Sequence, residues 1–189
     1  MEIKKLEYGD GKIISELIES TNIKHSLENN SNSGFLLYNY GEDNYNKRLK
    51  LSNNYSFGCF ENNKLVGCVL AYSLDFLIKN NQFIKHEEKV INHIKSLNRE
   101  IIWGEQIALE FNKRRRLLGK LMMKSIYKEM ISQNIYFFSC MVALYPNLNK
   151  AGLHFMLSDN KKYNIDKTIL ENDTVWAILI NKYKIYGTK

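Results

Sequence analysis

At 189 residues the chain is long enough to bury roughly 70% of the surface its unfolded form exposes, so a hydrophobic core needs no metal or disulfide to sustain it. Hydrophobic residues make up 44% and charged residues 25% of the sequence, a balance that excludes the disordered and fibrous classes and predicts one folded domain over residues 1–189. The net charge is +7, yet the lysines are spread along the whole chain, often beside asparagine, which reads as a solvated surface and not as the concentrated footprint of a nucleic-acid binder.

Charged residues interrupt the first twenty positions, and no later run approaches the ~20 apolar residues of a membrane span, so neither a secretory leader nor a membrane partner is expected. Cys59, Cys68 and Cys140 are odd in number, lie in apolar segments and lack a CxxC spacing. Reduced, buried thiols and a cytoplasmic location follow as expectations. His25, His86 and His93 have no ligand spacing to Asp, Glu or Cys, so no metal is expected. Ser139 and Cys140 sit within an apolar strand and not at an exposed turn, which gives no support to hydrolysis by a serine or cysteine nucleophile.

In chain order, residues 2–8 alternate as a short strand, and Gly9-Asp10-Gly11 breaks it before a helix carrying Ile13, Ile14, Leu17 and Ile18 at helical spacing. Residues 24–54 are polar and Asn-rich and read as short helices and loops. Tyr55–Phe60 and Leu65–Leu74 are strand-like on either side of Glu61-Asn62-Asn63-Lys64, a hairpin. A helix is predicted over about 86–97, and a strong strand over Ile101–Leu109. Met122, Ile126 and Met130 recur every four residues within Gly119–Gln133, opposite Lys120, Lys124 and Lys128, which predicts a helix with one buried side. Ile135–Leu144 is almost wholly apolar, the pattern of a strand covered on both faces and central in its sheet. A helix over Asn147–Ser158 and strands at about 167–170 and 174–183 complete a mixed α/β order. The last hairpin, with Trp176, is apolar enough to pair with a partner, so monomer and homodimer both remain open.

The most informative stretch runs from Gln106 to Leu121, where a buried strand enters a basic turn, Lys113-Arg114-Arg115-Arg116, that opens directly onto a helix. The first amides of a helix have no intrahelical partners and carry the positive end of its dipole. Such a start binds phosphate groups, and neighbouring arginines add charge and forked donors. A phosphorylated cofactor is one reading; a solvated helix start, or one that touches RNA, is the other.

Arg114-Arg115-Arg116-Leu117-Leu118-Gly119 resembles motif A of the GNAT acyltransferases, a strand followed by Arg or Gln, two residues, Gly, one residue, and Gly or Ala. Arg114 and Gly119 match, while Leu117 replaces the first glycine. Asn149-Lys150-Ala151-Gly152 is similar to the family's later CoA-contacting motif at Asn149 and Gly152, with Asn160 in the place of a terminal glycine. Lys64-Leu65-Val66-Gly67-Cys68 resembles its glycine-containing third strand. The resemblance implies a mixed, mostly antiparallel sheet with helices on both faces, whose parallel fourth and fifth strands splay apart. It implies acetyl-CoA or a related acyl-CoA as cofactor, with the backbone of Ile107, Ala108 and Leu109 pairing with the pantetheine arm. Arg114, Arg115, Arg116, Leu117, Leu118, Gly119 and Lys120 would hold the pyrophosphate, and Asn149 and Gly152 would contact the cofactor beyond it.

Acyl transfer to an amine needs a neutral nucleophile, although an alkylamine with pKa near ~10.4 is almost wholly protonated at neutral pH. A base is therefore useful. Glu105 is the first candidate, expected by alternation on the same face as Ile107 and Leu109 and in an apolar setting that raises its pKa. Glu110 is the competing carboxylate, on the opposite face unless a bulge intervenes. Where the family often has a tyrosine to protonate the leaving thiolate, this chain has Met156; Tyr145, Tyr163 and His154 are nearby in sequence, and Tyr145 is taken as the candidate acid. The expected function is N-acetylation of a primary amine by direct attack in a ternary complex. The alternatives are a non-catalytic CoA-binding protein of the same fold and a basic RNA-binding module.

Overall fold

Asn62 and Asn63 both adopt left-handed backbone, with φ of 50° and 63°, the pair of conformations a two-residue hairpin loop requires. They join β2 (Phe57–Glu61) to β3 (Lys64–Ser73), as the Asn-Asn turn predicts. The computed structural model describes residues 1–22, 36, 38–51, 55–79, 88–110, 115–157, 163–171 and 173–182. Within these, β1 (Glu2–Lys5), β4 (Ile101–Leu109), β5 (Phe137–Tyr145), β6 (Tyr163–Glu171) and β7 (Thr174–Lys182) complete a seven-stranded sheet. Its order is β1-β2-β3-β4-β5-β7-β6. Every pairing is antiparallel except β4 with β5, so the fold is the expected mixed α/β arrangement. Asn160 lies outside the described residues.

The sheet separates two apolar layers. On one face lie α1 (Gly11–Ser20), α2 (Glu42–Leu51) and α4 (Glu88–Ser96), whose Ile14, Leu17, Ile18, Tyr45, Leu49 and Ile94 pack with Leu70, Tyr72, Trp103 and Ile178 of the sheet. On the other lie α5 (Arg115–Ser132) and α6 (Lys150–Leu157), where Met122, Ile126, Met130 and Met156 meet Val69, Phe138 and Leu179. The short α3 (Leu74–Lys79) follows β3 directly. Each fully buried large side chain contributes roughly 1.5–3 kcal/mol, and both layers together supply the core that the sequence periodicity predicts.

Several boundaries differ from the periodicity, among them the start of β6 at Tyr163 and of α6 at Lys150, and two have a local reason. Helix α5 begins at Arg115, four residues before Gly119, so Arg115 and Arg116 fall in its first turn and the glycine in its second. At its far end Asn134 takes φ 60°, its amide donates to the Ile131 carbonyl at 3.0 Å, and the Ile135 amide donates to Met130 at 2.9 Å. That is a Schellman termination, and it makes Ile135 a buried cap contact and delays β5 to Phe137. Trp176 is buried within β7, and the exposed apolar side chains of the last hairpin are Ile165 and Leu170. Cys59, Cys68 and Cys140 are free and buried.

Candidate active site and cofactor cleft

Strands β4 and β5 pair over only four rungs, from Ile101↔Phe137 to Gly104↔Cys140. Beyond that point β4 stays with β3 as far as Leu109, and β5 stays with β7 as far as Tyr145, so the facing edges of Glu105–Leu109 and Met141–Tyr145 do not pair with each other. The cause is an extra residue in β4. Leu70 pairs with Gln106 and Ala71 with Gly104, which leaves Glu105 as a bulge, and a bulge bends its strand and increases the local twist. At the last rung the Phe138 ring fills the place of a side chain on Gly104, where a Cβ would lie 2.4 Å from Cζ.

The bulge corrects the facing of Glu105. Ile101 and Trp103 belong to the α1 layer, and so does Ala108, whereas Ile107 and Leu109 lie against the α5 layer. Parity therefore changes at residue 105. Glu105 faces α2 and not, as strict alternation predicts, the side of Ile107 and Leu109.

There the Glu105 carboxylate meets Arg48. Arg48 Nε donates to Oε2 at 3.2 Å and Nη2 to Oε1 at 3.2 Å, a forked two-bond pair. The two side chains are only 1% and 2% exposed. The buried Tyr72 of β3 lies beside the same carboxylate. Burial raises the Glu105 carboxyl above its ordinary range, against the lowering pull of Arg48 and Tyr72. Arg48 is itself held, with the Tyr40 ring 4.0 Å from its guanidinium carbon. Its helix is anchored by Tyr45, whose hydroxyl donates to Gln106 at 3.1 Å; Gln106 in turn donates to the Tyr38 carbonyl at 2.7 Å.

Arg48 was not among the residues that pattern singled out. The signal was available in Tyr45, Arg48 and Leu49, whose spacing of three and four residues marks one helix face, and all three are buried.

Glu110 follows the end of β4, half-buried and ion-paired with Lys64. Tyr145 ends β5, 63% exposed. Its register with Val175 places it on the α5 face, opposite Glu105. The structure thus brings neither residue to Glu105.

Both α5 and α6 start at the end of the sheet where β4 and β5 have separated, and they touch each other. A Cβ on Gly119 would lie 2.7 Å from Cε2 of Phe155. The amides of Arg115, Arg116 and Leu117 fall in the first turn of α5 and have no intrahelical partners; Arg114 lies outside the described residues. Leu117 is 60% exposed, Leu118 is buried, and Lys120 is exposed. At α6 the Asn149 side chain accepts from the Gly152 amide at 2.9 Å, an N-cap. Among the described residues no three His, Cys, Asp or Glu side chains form a metal site, and no helix is long and apolar enough to cross a membrane.

No family model matches the chain, and no curated protein matches it. Solved structures do. The PaiA N-acetyltransferase from Thermoplasma acidophilum, in complex with coenzyme A, aligns at TM-score 0.64 and 15% identity over 96% of this chain and 98% of its own. The polyamine N-acetyltransferase of Drosophila melanogaster aligns at 0.65 and 9% over 96% and 99%. The ribosomal-protein-S18-alanine N-acetyltransferase of Escherichia coli aligns at 0.60 and 13% over 98% and 96%. The chain has the fold of the GNAT superfamily.

Proposed function

We propose that this protein is an acyl-CoA-dependent N-acyltransferase that moves an acetyl group from acetyl-CoA to a primary amine in a ternary complex. The observation that carries the reading is the parting of β4 and β5 after Gly104 and Cys140, at whose open end two helices begin. An opened strand pair leaves backbone donors and acceptors facing the gap, and an extended arm with its own amides can satisfy them as an added strand. The backbone of Ile107, Ala108 and Leu109 fits that role. The first-turn amides of α5 suit a pyrophosphate, and Arg114, Arg115, Arg116 and Lys120, which flank them in the sequence, are proposed to add charge. Leu118 and Gly119 seat that turn against the core and against Phe155. Leu117 stands where a glycine would allow closer approach, and its side chain lies outside the core. Asn149 and Gly152 set the start of α6 beside it. The coenzyme A in the Thermoplasma structure supports the same class of ligand.

When bound, acetyl-CoA supplies a thioester carbon to which the amine nitrogen bonds as the carbon–sulfur bond breaks. The chain's part is to orient the amine and take its proton. Glu105, one residue past the last β4–β5 rung, is the proposed base, reached directly or through one water, the separation general-base catalysis allows. Glu110 and Tyr145 are the reserve base and acid. Tyr145, or solvent, would supply the proton to the departing thiolate, and positioning supplies much of the acceleration.

One observation favours a second reading, a CoA-binding protein without transferase activity. Glu105 is enclosed by Arg48, and Leu117 occupies a glycine's place. A thermal shift with CoA and acetyl-CoA, followed by free-thiol release with spermidine, agmatine, kanamycin and a peptide with N-terminal alanine, decides. Saturable stabilisation with amine-dependent thiol release supports the transferase, and stabilisation alone supports the second reading. No shift at millimolar CoA overturns both.

A further inference from the structure

We propose that Arg48 is a positioning residue of the acyl transfer, whose forked pair with Glu105 aims the carboxylate at the amine; the proposal rests on Glu105 acting as the base. The geometry is specific. A guanidinium bonding both carboxylate oxygens at 3.2 Å fixes the plane of the carboxylate as well as its position. It does so for the one residue of β4 that the bulge removes from the ladder, immediately beyond the rung where the strands part. Two charges withdrawn from water are poor stabilisers compared with two apolar side chains of similar volume. A pair placed here, with a tyrosine ring under the guanidinium and its helix tied to β4 through Tyr45 and Gln106, is better matched to holding a carboxylate than to holding the fold.

Among the described residues, the charged and titratable groups that face Glu105 are Arg48 and Tyr45 from α2 and Tyr72 from β3, with Tyr40 behind Arg48. Arg48 is the cation among them. Burial favours the neutral acid, which cannot accept a proton; the guanidinium opposes that and keeps acceptor capacity available. The fork, with Tyr72 beside the carboxylate, fixes the plane in which an oxygen receives the proton as the amine attacks.

The test compares pH profiles of kcat/KM for the native protein, Glu105→Gln, Arg48→Gln and Arg48→Lys, with acetyl-CoA and the best acceptor of the amine panel. Arg48→Gln should move the acid limb upward by about one to three pH units, the range an adjacent opposite charge commands, and leave the KM for acetyl-CoA within about twofold. Arg48→Lys keeps the charge and loses the fork, so the limb should stay while kcat falls about tenfold or more. An Arg48→Gln profile that superimposes on the native one, while Glu105→Gln erases the acid limb, overturns the positioning role and leaves the base. A native acid limb in Glu105→Gln overturns the base itself. Should Arg48→Gln fail to fold, Arg48→Lys decides, and native kcat there overturns the proposal.

Discussion

Gly119 of α5 and Phe155 of α6 are in such close contact that a methyl group on Gly119 would lie 2.7 and 2.8 Å from two ring carbons of Phe155. The amide of Gly119 already lies within the helical ladder that starts at Arg115. What this glycine supplies is close packing between two helices at the mouth of the cleft.

Gly119→Val should therefore destabilise the protein by about 1–3 kcal/mol, the cost of overpacking. In a Phe155→Ala background the same change should cost much less, with a coupling of about 1 kcal/mol or more. Urea denaturation of the four proteins measures it, and strictly additive effects would refute the contact.

Asn149 separates a structural from an electrostatic contribution at α6. Asn149→Ala removes the bond to the Gly152 amide and should cost about 1 kcal/mol. Asn149→Asp should cap equally well and recover that stability, yet bind CoA more weakly, since it adds negative charge where an anion is proposed to sit. Melting temperature together with calorimetric titration of CoA reads the two effects apart. Equal CoA affinity for the native protein and Asn149→Asp would place the phosphates elsewhere.

Arg48→Ala leaves the Glu105 carboxylate buried without its cation and should destabilise by about 3–5 kcal/mol. The double replacement Arg48→Met with Glu105→Met should be close to neutral in stability, because both charges leave the interior together. Chemical denaturation tests this. A double variant as unstable as Arg48→Ala would mean that the pair holds the fold.

Cys68 and Cys140 tie stability to pH. Burial pushes both thiols up to about 12 from an ordinary value near 9.0. Below about pH 9 both the folded and the unfolded chain hold these protons, and the contribution is intact. Above it the unfolded chain loses them while the native protein does not, so stability should fall as pH rises through the window up to about 12. Each thiol contributes a slope of about 1.4 kcal/mol per pH unit at most. Denaturation midpoints at pH 8, 9 and 10 under reducing conditions, repeated for Cys68→Ala with Cys140→Ala, measure it. An unchanged slope in the double variant would assign the fall to other groups. Native thiols should also resist alkylation at pH 8 and react in denaturant.

The sequence by itself determined most of the elements and their order, with α3 unpredicted and α2 placed only within a stretch of short helices and loops. Met122, Ile126 and Met130 mark a helix because a 3.6-residue period can bury only one stripe, and the apolar run before Tyr145 marks a strand enclosed on both sides. The Asn-Asn hairpin is equally local, since it depends on residues within a few positions of one another. The resemblance of the Arg114–Gly119 and Asn149–Gly152 motifs carried the fold as far as the splayed strands. Only the tertiary structure decided which way Glu105 points. Alternation assumes an unbroken ladder, and the extra residue in β4 shows itself only against the register of β3. The partner of Glu105 was hidden for the same reason. Arg48 is 57 residues away on a helix in a polar region, and no local period announces that a cation will be buried against a carboxylate across that distance.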